Sequence, residues 1–390
     1  MTLTLRPRSG DAFSQGGSLR ELAVVFLKLG LVGFGGPAAH VAMMEDEVVR
    51  RRAWLSRERF LDLLGATNLI PGPNSTEMAI HLGHLRAGWP GLVVAGTCFI
   101  APAFAIVFGC AWAYVRFGML PAAAGLLYGV KPVIIAVVLQ ALWGLGRSAM
   151  RTRGIAAAGL ASIAAVAAGV HELVVLFVAG AVLAGARWAH GARARAAAQG
   201  LLPLLPVAAA GTTAAVMPFG LLPLFLFFLK VGSVLFGSGY VLLAFLRADL
   251  VVRWGWLTEA QLLDAVAVGQ VTPGPVFTTA TFIGYVLAGA PGAVLSTVGI
   301  FLPAFVFVAL SGPLVPRIRR SPVAGAFLDG VNVASIALMA VVTARLAHAA
   351  IVDVPTLLLA LASAVLLIRL RVSSAWLILG AAAIGVAVHR

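Results

Sequence analysis

The chain has 390 residues, 61% of them hydrophobic and only 11% charged, with a mean hydropathy of +1.02. This balance excludes an ordinary soluble globular protein and defines a polytopic helical membrane protein, all-α in fold class. The formal charge of +14 does not make nucleic acid a partner, because the arginines sit in short connections between apolar stretches, where the positive-inside rule places them.

Residues 1–19 are polar and basic and lack the apolar region and cleavage site of a secretory signal, so they read as a disordered cytoplasmic tail. Two segments follow, 22–49 and 58–86, each broken near its middle, by GFGGP at 33–37 and by PGP at 71–73. Each reads as a re-entrant hairpin or a broken full span, and either choice for both returns the chain to its starting side. Apolar stretches at 90–115, 120–146, 154–170, 171–186 and 201–217 then predict five crossings of a core that needs roughly 20 residues per helix.

The second half repeats the first. FLKLGLVGFG at 26–35 returns as FLKVGSVLFG at 228–237, and the Pro-Gly-Pro break returns at 273–275. Arg51/Arg253, Trp54/Trp256, Asp62/Asp264 and Thr76/Thr278 keep one offset, after which a one-residue shift aligns Gly83/Gly284, Pro90/Pro291, Pro102/Pro303 and Gly129/Gly330. Further apolar stretches lie at 291–315, 323–344, 353–368 and 374–388. The expected division is repeat 1 at 20–150, connecting transmembrane helices at 151–219, repeat 2 at 220–350 and a C-terminal transmembrane hairpin at 351–390.

Arginine clusters at 6–20, 50–59, 147–153, 187–195, 317–320 and 369–371 predict the cytoplasmic side. In copy one the connection near 116–121 carries one arginine, and Arg147, Arg151 and Arg153 follow the next span; copy two reverses this, with Arg317, Arg319 and Arg320 in the matching connection. The copies therefore read as inverted-topology repeats, and the odd number of crossings between them agrees. Interrupted helices in matching positions of such repeats point to a transport site.

Pro71, Gly72 and Pro73, like Pro273, Gly274 and Pro275, stop one helix and start another. The new helices begin Asn74-Ser75-Thr76 and, after Val276-Phe277, Thr278-Thr279. Free backbone amides, the positive end of the helix dipole and neighbouring hydroxyls make an anion site. Gly35 and Gly36 in copy one and Gly237 in copy two allow irregular backbone, tolerated at membrane depth only when buried or lining a cavity. Three lysines, Lys28, Lys131 and Lys230, stand in apolar stretches, whereas every loop cation is arginine. An intramembrane ammonium is a functional candidate by default, with snorkelling to the headgroups as the bland alternative. Lys28 and Lys230 are matched and are expected to converge on one mid-bilayer pocket; Lys131 aligns with Asn332.

Asp62 and Asp264 follow candidate helix caps Ser56 and Thr258 and either balance the lysines, serve structure or, like Lys131, take part in coupling. Glu77, His81 and His84 share a helical face. A metal site, a proton-coupling role and plain packing are all open to them, Glu77 being the coupling candidate because it adjoins the break. Cys98 and Cys110 fit neither a disulfide framework nor zinc spacing and read as packing residues. No Gly-Lys-Ser or Gly-Lys-Thr loop marks a nucleotide motor, and no cofactor is expected.

At FLKLGLVGFGGP, IPGPNSTEMAIHLG and TPGPVFTTATFIGY with its following AGAPGA, the chain resembles the chromate transporter family in its long, two-repeat form, over roughly residues 20–350. The resemblance implies a multi-pass protein of the bacterial plasma membrane that exports chromate by a route shared with sulfate, confers chromate resistance and is not an enzyme. It assigns substrate contacts to Lys28 and Lys230 and to the glycine, Asn74, Ser75 and threonine positions named above. A transporter of another anion on the same scaffold remains an alternative, as does an intramembrane enzyme or a non-transporting scaffold; a homodimer is compatible with the sequence.

Overall fold

The computed structural model describes residues 18–33, 36–67, 69–118, 121–150, 152–196, 218–235, 241–319, 321–370, 372 and 374–388. The expected tail, apart from its last two residues, and the expected span 201–217 lie outside them. Every regular element among the described residues is helical, as a backbone without water to bond requires.

The first half runs α1 (Leu19–Val32), α2 (Gly36–Glu45) continuing into a π-helical turn (Asp46–Arg51), α3 (Arg57–Thr67), α4 (Asn74–Phe117), α5 (Pro121–Ala149), α6 (Arg153–Ala167) and α7 (Glu172–Ala196). The second half runs α8 (Leu221–Val234), α9 (Leu242–Phe245) continuing into a π-helical turn (Leu246–Arg253), α10 (Glu259–Val271), a 3-10 turn (Val276–Thr278), α11 (Thr279–Arg319), α12 (Pro322–Ala350), α13 (Val354–Ile368) and α14 (Ser374–Val388). Five of the described helical segments are long and apolar enough to cross a membrane. The correspondence extends past the 20–150 and 220–350 modules expected from sequence: α6 and α13 are both 15 residues long, and α7 and α14 follow them. Their outer faces carry Leu160, Phe177, Leu361 and Trp376 exposed, a surface for lipid on which any apolar residue serves, so little identity marks the match.

Local chemistry fixes the helix starts. Ser56 Oγ accepts the Arg59 amide at 3.3 Å, and Thr258 forms a reciprocal capping box with Gln261, so both expected caps hold α3 and α10. α4 turns sharply at Ala87 and Gly88, where Gly88 has φ 59°, and doubles back so that Gly83 and Gly91 touch through their backbones. α11 repeats this at Ala288 and Gly289, with φ 61°, bringing Gly284 against Gly292. The AGWPG and AGAPG sequences account for both: glycine takes the positive φ, small residues permit the approach and proline opens the next arm.

Contacts between α4 and α11 show their relative direction. Gly96 faces Phe305, while Phe108 and Tyr114, farther along α4, face Tyr285 and Phe282 on the near side of the α11 turn. Advancing along one copy means retreating along the other, so equivalent spans run in opposite senses and the repeats are inverted.

Small residues bring backbones together within and between the halves. Gly30 of α1 abuts Phe99 of α4, and its counterpart Gly232 of α8 abuts Ile300 of α11, the close packing that membrane helices use in place of a hydrophobic driving force. Gly129 of α5 abuts Ala381 of α14, and Gly330 of α12 abuts Ala179 of α7. Each terminal pair therefore packs on the central helix of the other half: α6 and α7 on α12, α13 and α14 on α5. The halves are interlocked around a core that includes the fully buried run 133–138 of α5.

Candidate functional site

The two Pro-Gly-Pro breaks meet the ends of the first helices, each in the opposite half. Gly72 N–H donates to Leu235 O at 2.8 Å, and Gly274 N–H donates to Gly33 O at 2.8 Å. Gly33 and Leu235 are the residues that terminate α1 and α8, where carbonyls lack partners within their own helices. Gly72 and Gly274 have φ of 140° and 95°, a region that side chains resist. The flanking prolines remove competing donors and start α4 and the turn before α11. Gly36, at the start of α2, also has positive φ, 79°; Gly35 and Gly237 lie outside the described residues.

The two breaks differ chemically. In the second, Thr278 Oγ1 donates to Pro275 O at 2.7 Å and Thr279 Oγ1 donates to Val276 O at 2.8 Å, which uses their protons on the backbone. In the first, Thr76 Oγ1, both carboxyl oxygens of Glu77 and His81 Nε2 are buried with no hydrogen-bond partner among the described residues. Asn74, Ser75 and Thr76 form the first turn of α4; the Thr76 and Glu77 amides donate to Pro73 O at 2.8 and 3.0 Å, and those of Asn74 and Ser75 have no carbonyl within the helix to bond. The Glu77 carboxyl packs over Gly72, in space that a methyl group there would fill.

His40 ties this arrangement together and was not singled out by sequence reasoning. It is 1% exposed; Nε2 donates to Gly33 O at 2.8 Å, which leaves Nδ1 to accept from Ser75 Oγ at 3.3 Å. One imidazole thus joins the end of α1, the start of α4 and, through the shared carbonyl, the Gly274 break. Its counterpart in the second half is Leu242. A histidine set against leucine in otherwise matched copies was the available signal.

The lysines depart from expectation. Lys28 Nζ lies 3.9 Å from Glu47 and its side chain is 58% exposed, whereas Lys230 Nζ donates to Asp249 Oδ2 at 2.5 Å. Each ammonium is engaged by an acid of its own repeat, so the expected shared clamp on one central pocket is corrected to two separate ion pairs. Arg51 also reaches Glu47, and Arg253 reaches Asp249, giving each half a matched lysine–acid–arginine set on its π-helical turn. The physical reason lies in that turn, whose wider winding holds the acid and arginine beside the first helix. Glu47 and Asp249, rather than Asp62 and Asp264, balance these two lysines. Asp62 lies exposed on α3, and Asp264 is 3% exposed and bonded at 3.0 Å by Lys131.

Glu77, His81 and His84 occupy neighbouring turns of α4, with His84 edge-on to Trp89. Among the described residues no three His, Cys, Asp or Glu side chains gather as a metal site requires. Cys98 and Cys110 are both free thiols, half-buried.

Inverted repeats whose helices break at matching, mutually docked positions define a transmembrane transporter. The sequence profile described as Chromate transporter matches residues 20–186 and again 222–386, and the chain belongs to that family. It is 34% identical to the chromate transport protein of Cupriavidus metallidurans over 95% of this chain and 94% of that one. It is 34% identical to the chromate transport protein of Pseudomonas aeruginosa, over 87% and 84%, and 32% identical to a probable chromate transport protein of Synechococcus elongatus, over 88% of each. No solved structure matches the chain.

Proposed function

We propose that this protein is a secondary transporter that exports chromate, with sulfate-like divalent oxyanions sharing the route, across the bacterial plasma membrane, and so contributes to chromate resistance. The observation that carries the reading is the first break, where Ser75 and Thr76 start a buried helix and the polar atoms of Thr76, Glu77 and His81 await partners. Buried polar groups are almost always paired, so a cluster that lacks partners suits a ligand that supplies them. Helix-start amides and hydroxyls replace the hydration of an oxyanion. Glu77 beside that anion contributes only as a donor, so a bound dianion and a proton on Glu77 go together; this is the proposed coupling.

The second break, with its hydroxyls spent on backbone, serves as the structural partner that Gly33 and Leu235 lock to the first. Inverted halves meeting there exchange access between the two sides. A dianion that leaves with one proton on Glu77 carries a net charge of −1, so an interior-negative potential favours its outward movement by about 2.3 kcal/mol per 100 mV. Proteoliposomes loaded with chromate test the proposal. Chromate release above that of empty liposomes, slowed by internal sulfate and lost in Ser75→Ala/Thr76→Val, is the expected result. Correctly inserted protein that moves neither chromate nor sulfate overturns it.

A further inference from the structure

A cavity of about 360 Å³ lies between the end of α4, the first third of α5, α10 and the end of α12, within the roughly 300–1,000 Å³ typical of ligand pockets. Tyr114, Tyr128, Lys131 and Asp264 supply its polar wall. Lys131 Nζ lies 3.0 Å from Asp264 Oδ1, Tyr114 OH donates to Asp264 Oδ2 at 2.9 Å, and Tyr128 OH donates to Asp353 Oδ2 at 2.5 Å. We infer that this cavity is a second oxyanion-binding station, on the outward side of the protein, in which Lys131 exchanges its bond to Asp264 for one to the departing dianion. The inference rests on the oxyanion reading given above.

Three observations carry it. First, the fold does not demand these side chains: at the equivalent place in the other half, Tyr114, Tyr128 and Lys131 are replaced by Val315, Asp329 and Asn332, while the acid persists as Asp62. A purely structural ion pair would be needed equally in both copies, whereas a one-sided cation suits a function that one face performs. Second, the cavity lies at the ends of α4, α5 and α12 remote from the arginines at 147–153 and 317–320, which makes it outward-facing. Lys131 is ten residues beyond Pro121, about 15 Å along the axis at 1.5 Å per residue, so the cavity leads from the outer end towards the interior.

Third, the chemistry suits release. Both residues line the cavity, and with Asp264 3% exposed and the Lys131 side chain 20% exposed the lysine is the more accessible member of the pair. The two phenol hydroxyls of the cavity donate to Asp264 and Asp353, which holds those acids in place and leaves Lys131 as the cation that exchanges partners. The fixed acid competes with the anion for Lys131 and keeps affinity low, as an exit requires.

The test uses Leu127→Cys, a position lining the cavity, in the full chain within right-side-out membrane vesicles. A membrane-impermeant maleimide is added outside, with labelling read over that of the parent chain, and chromate is the protecting ligand. Labelling from outside that chromate slows is expected, with protection at least tenfold weaker in Lys131→Met, retained in Lys131→Arg and strengthened in Asp264→Asn. Labelling only from the cytoplasmic side overturns the inference, as does protection unchanged in Lys131→Met. Should Lys131→Met fail to insert, Asp264→Asn decides: protection no stronger than in the parent overturns it. Loss of protection in a parent chain that still moves chromate sinks this station alone, whereas absence of chromate and sulfate flux sinks the underlying transport reading.

Discussion

The amide of Gly72 donates to the carbonyl of Leu235 at 2.8 Å, so the break in the first half is fastened to the end of the first helix of the second half. The reciprocal bond from Gly274 to Gly33 has the same length. Two bonds of this kind, exchanged between inverted halves, are the isologous contact that a two-fold axis produces. Any movement that exchanges access must therefore carry both breaks together or break both bonds.

Alanine at Gly72 separates the break from ordinary glycine strain. Gly72 has φ 140° and the Glu77 carboxyl packed over it, whereas Gly88, with φ 59°, has nothing near its missing side chain. Both substitutions should cost about 1–3 kcal/mol of backbone strain. Only Gly72→Ala should also displace Glu77, so chromate flux should fall at least tenfold there and stay within about threefold in Gly88→Ala. Comparable flux in two variants of equal thermal stability counts against the site.

Replacing His40 tests the link between the halves. His40→Ala leaves the buried Ser75 Oγ without its acceptor and removes one of the two donors to Gly33 O, which keeps the Gly274 amide. Each buried polar group left unpaired costs about 1–3 kcal/mol, so melting in detergent should drop clearly. His40→Asn, which keeps one donor and one acceptor, should recover part of the loss. The reverse order of stability would show that ring packing against Phe99, and not hydrogen bonding, is what His40 supplies.

Much of this architecture was legible in the chain because membrane helices advertise their breaks. Proline and glycine at 71–73 and 273–275 and the AGWPG and AGAPG turns are local necessities, and arginine placement reported the inversion that the Gly96–Phe305 and Phe108–Tyr285 contacts display. The partners of the lysines were not legible. Lys28 and Glu47 are brought together by the π-helical turn, and no local pattern announces that winding; only the matched recurrence of an acid at Asp249 hinted at it. Nor was the interlocking of α6 and α7 with α12, since lipid-facing surface constrains composition rather than identity.

The two matched lysines should behave differently. Lys28 is largely exposed and 3.9 Å from Glu47, which Arg51 and Arg52 also neutralise. Such a pair contributes at most about 1 kcal/mol, so Lys28→Met should retain stability. Lys230 is one-third exposed and bonds Asp249, a residue 3% exposed, while stacking near Phe227 and Trp254. Lys230→Met should cost about 1–3 kcal/mol, less than the 3–5 of a fully buried pair, and a simultaneous Asp249→Asn should restore part of it. Equal losses in both single variants, measured by denaturation in the same detergent, would contradict the ion-pair assignment.

Glu77→Gln isolates the coupling role. Both carboxyl oxygens are buried without partners among the described residues, so an amide of the same shape removes the exchangeable proton with little change in packing. Stability should be kept or slightly raised. If a proton on Glu77 accompanies each bound dianion, the wild type should bind chromate more tightly as pH falls, since the anion and the protonated carboxyl stabilise one another. Glu77→Gln, which always presents a donor and never a negative charge, should bind well at every pH, and its chromate movement should no longer respond to an imposed pH gradient. The decisive measurement is flux in proteoliposomes with and without that gradient at fixed membrane potential. A variant that keeps the wild-type response to the gradient leaves Glu77 as a packing residue and moves the coupling group elsewhere. A variant that folds but has lost chromate binding altogether would mean that the carboxyl contacts the anion in a geometry the amide cannot reproduce, which also removes the proton from the mechanism as proposed.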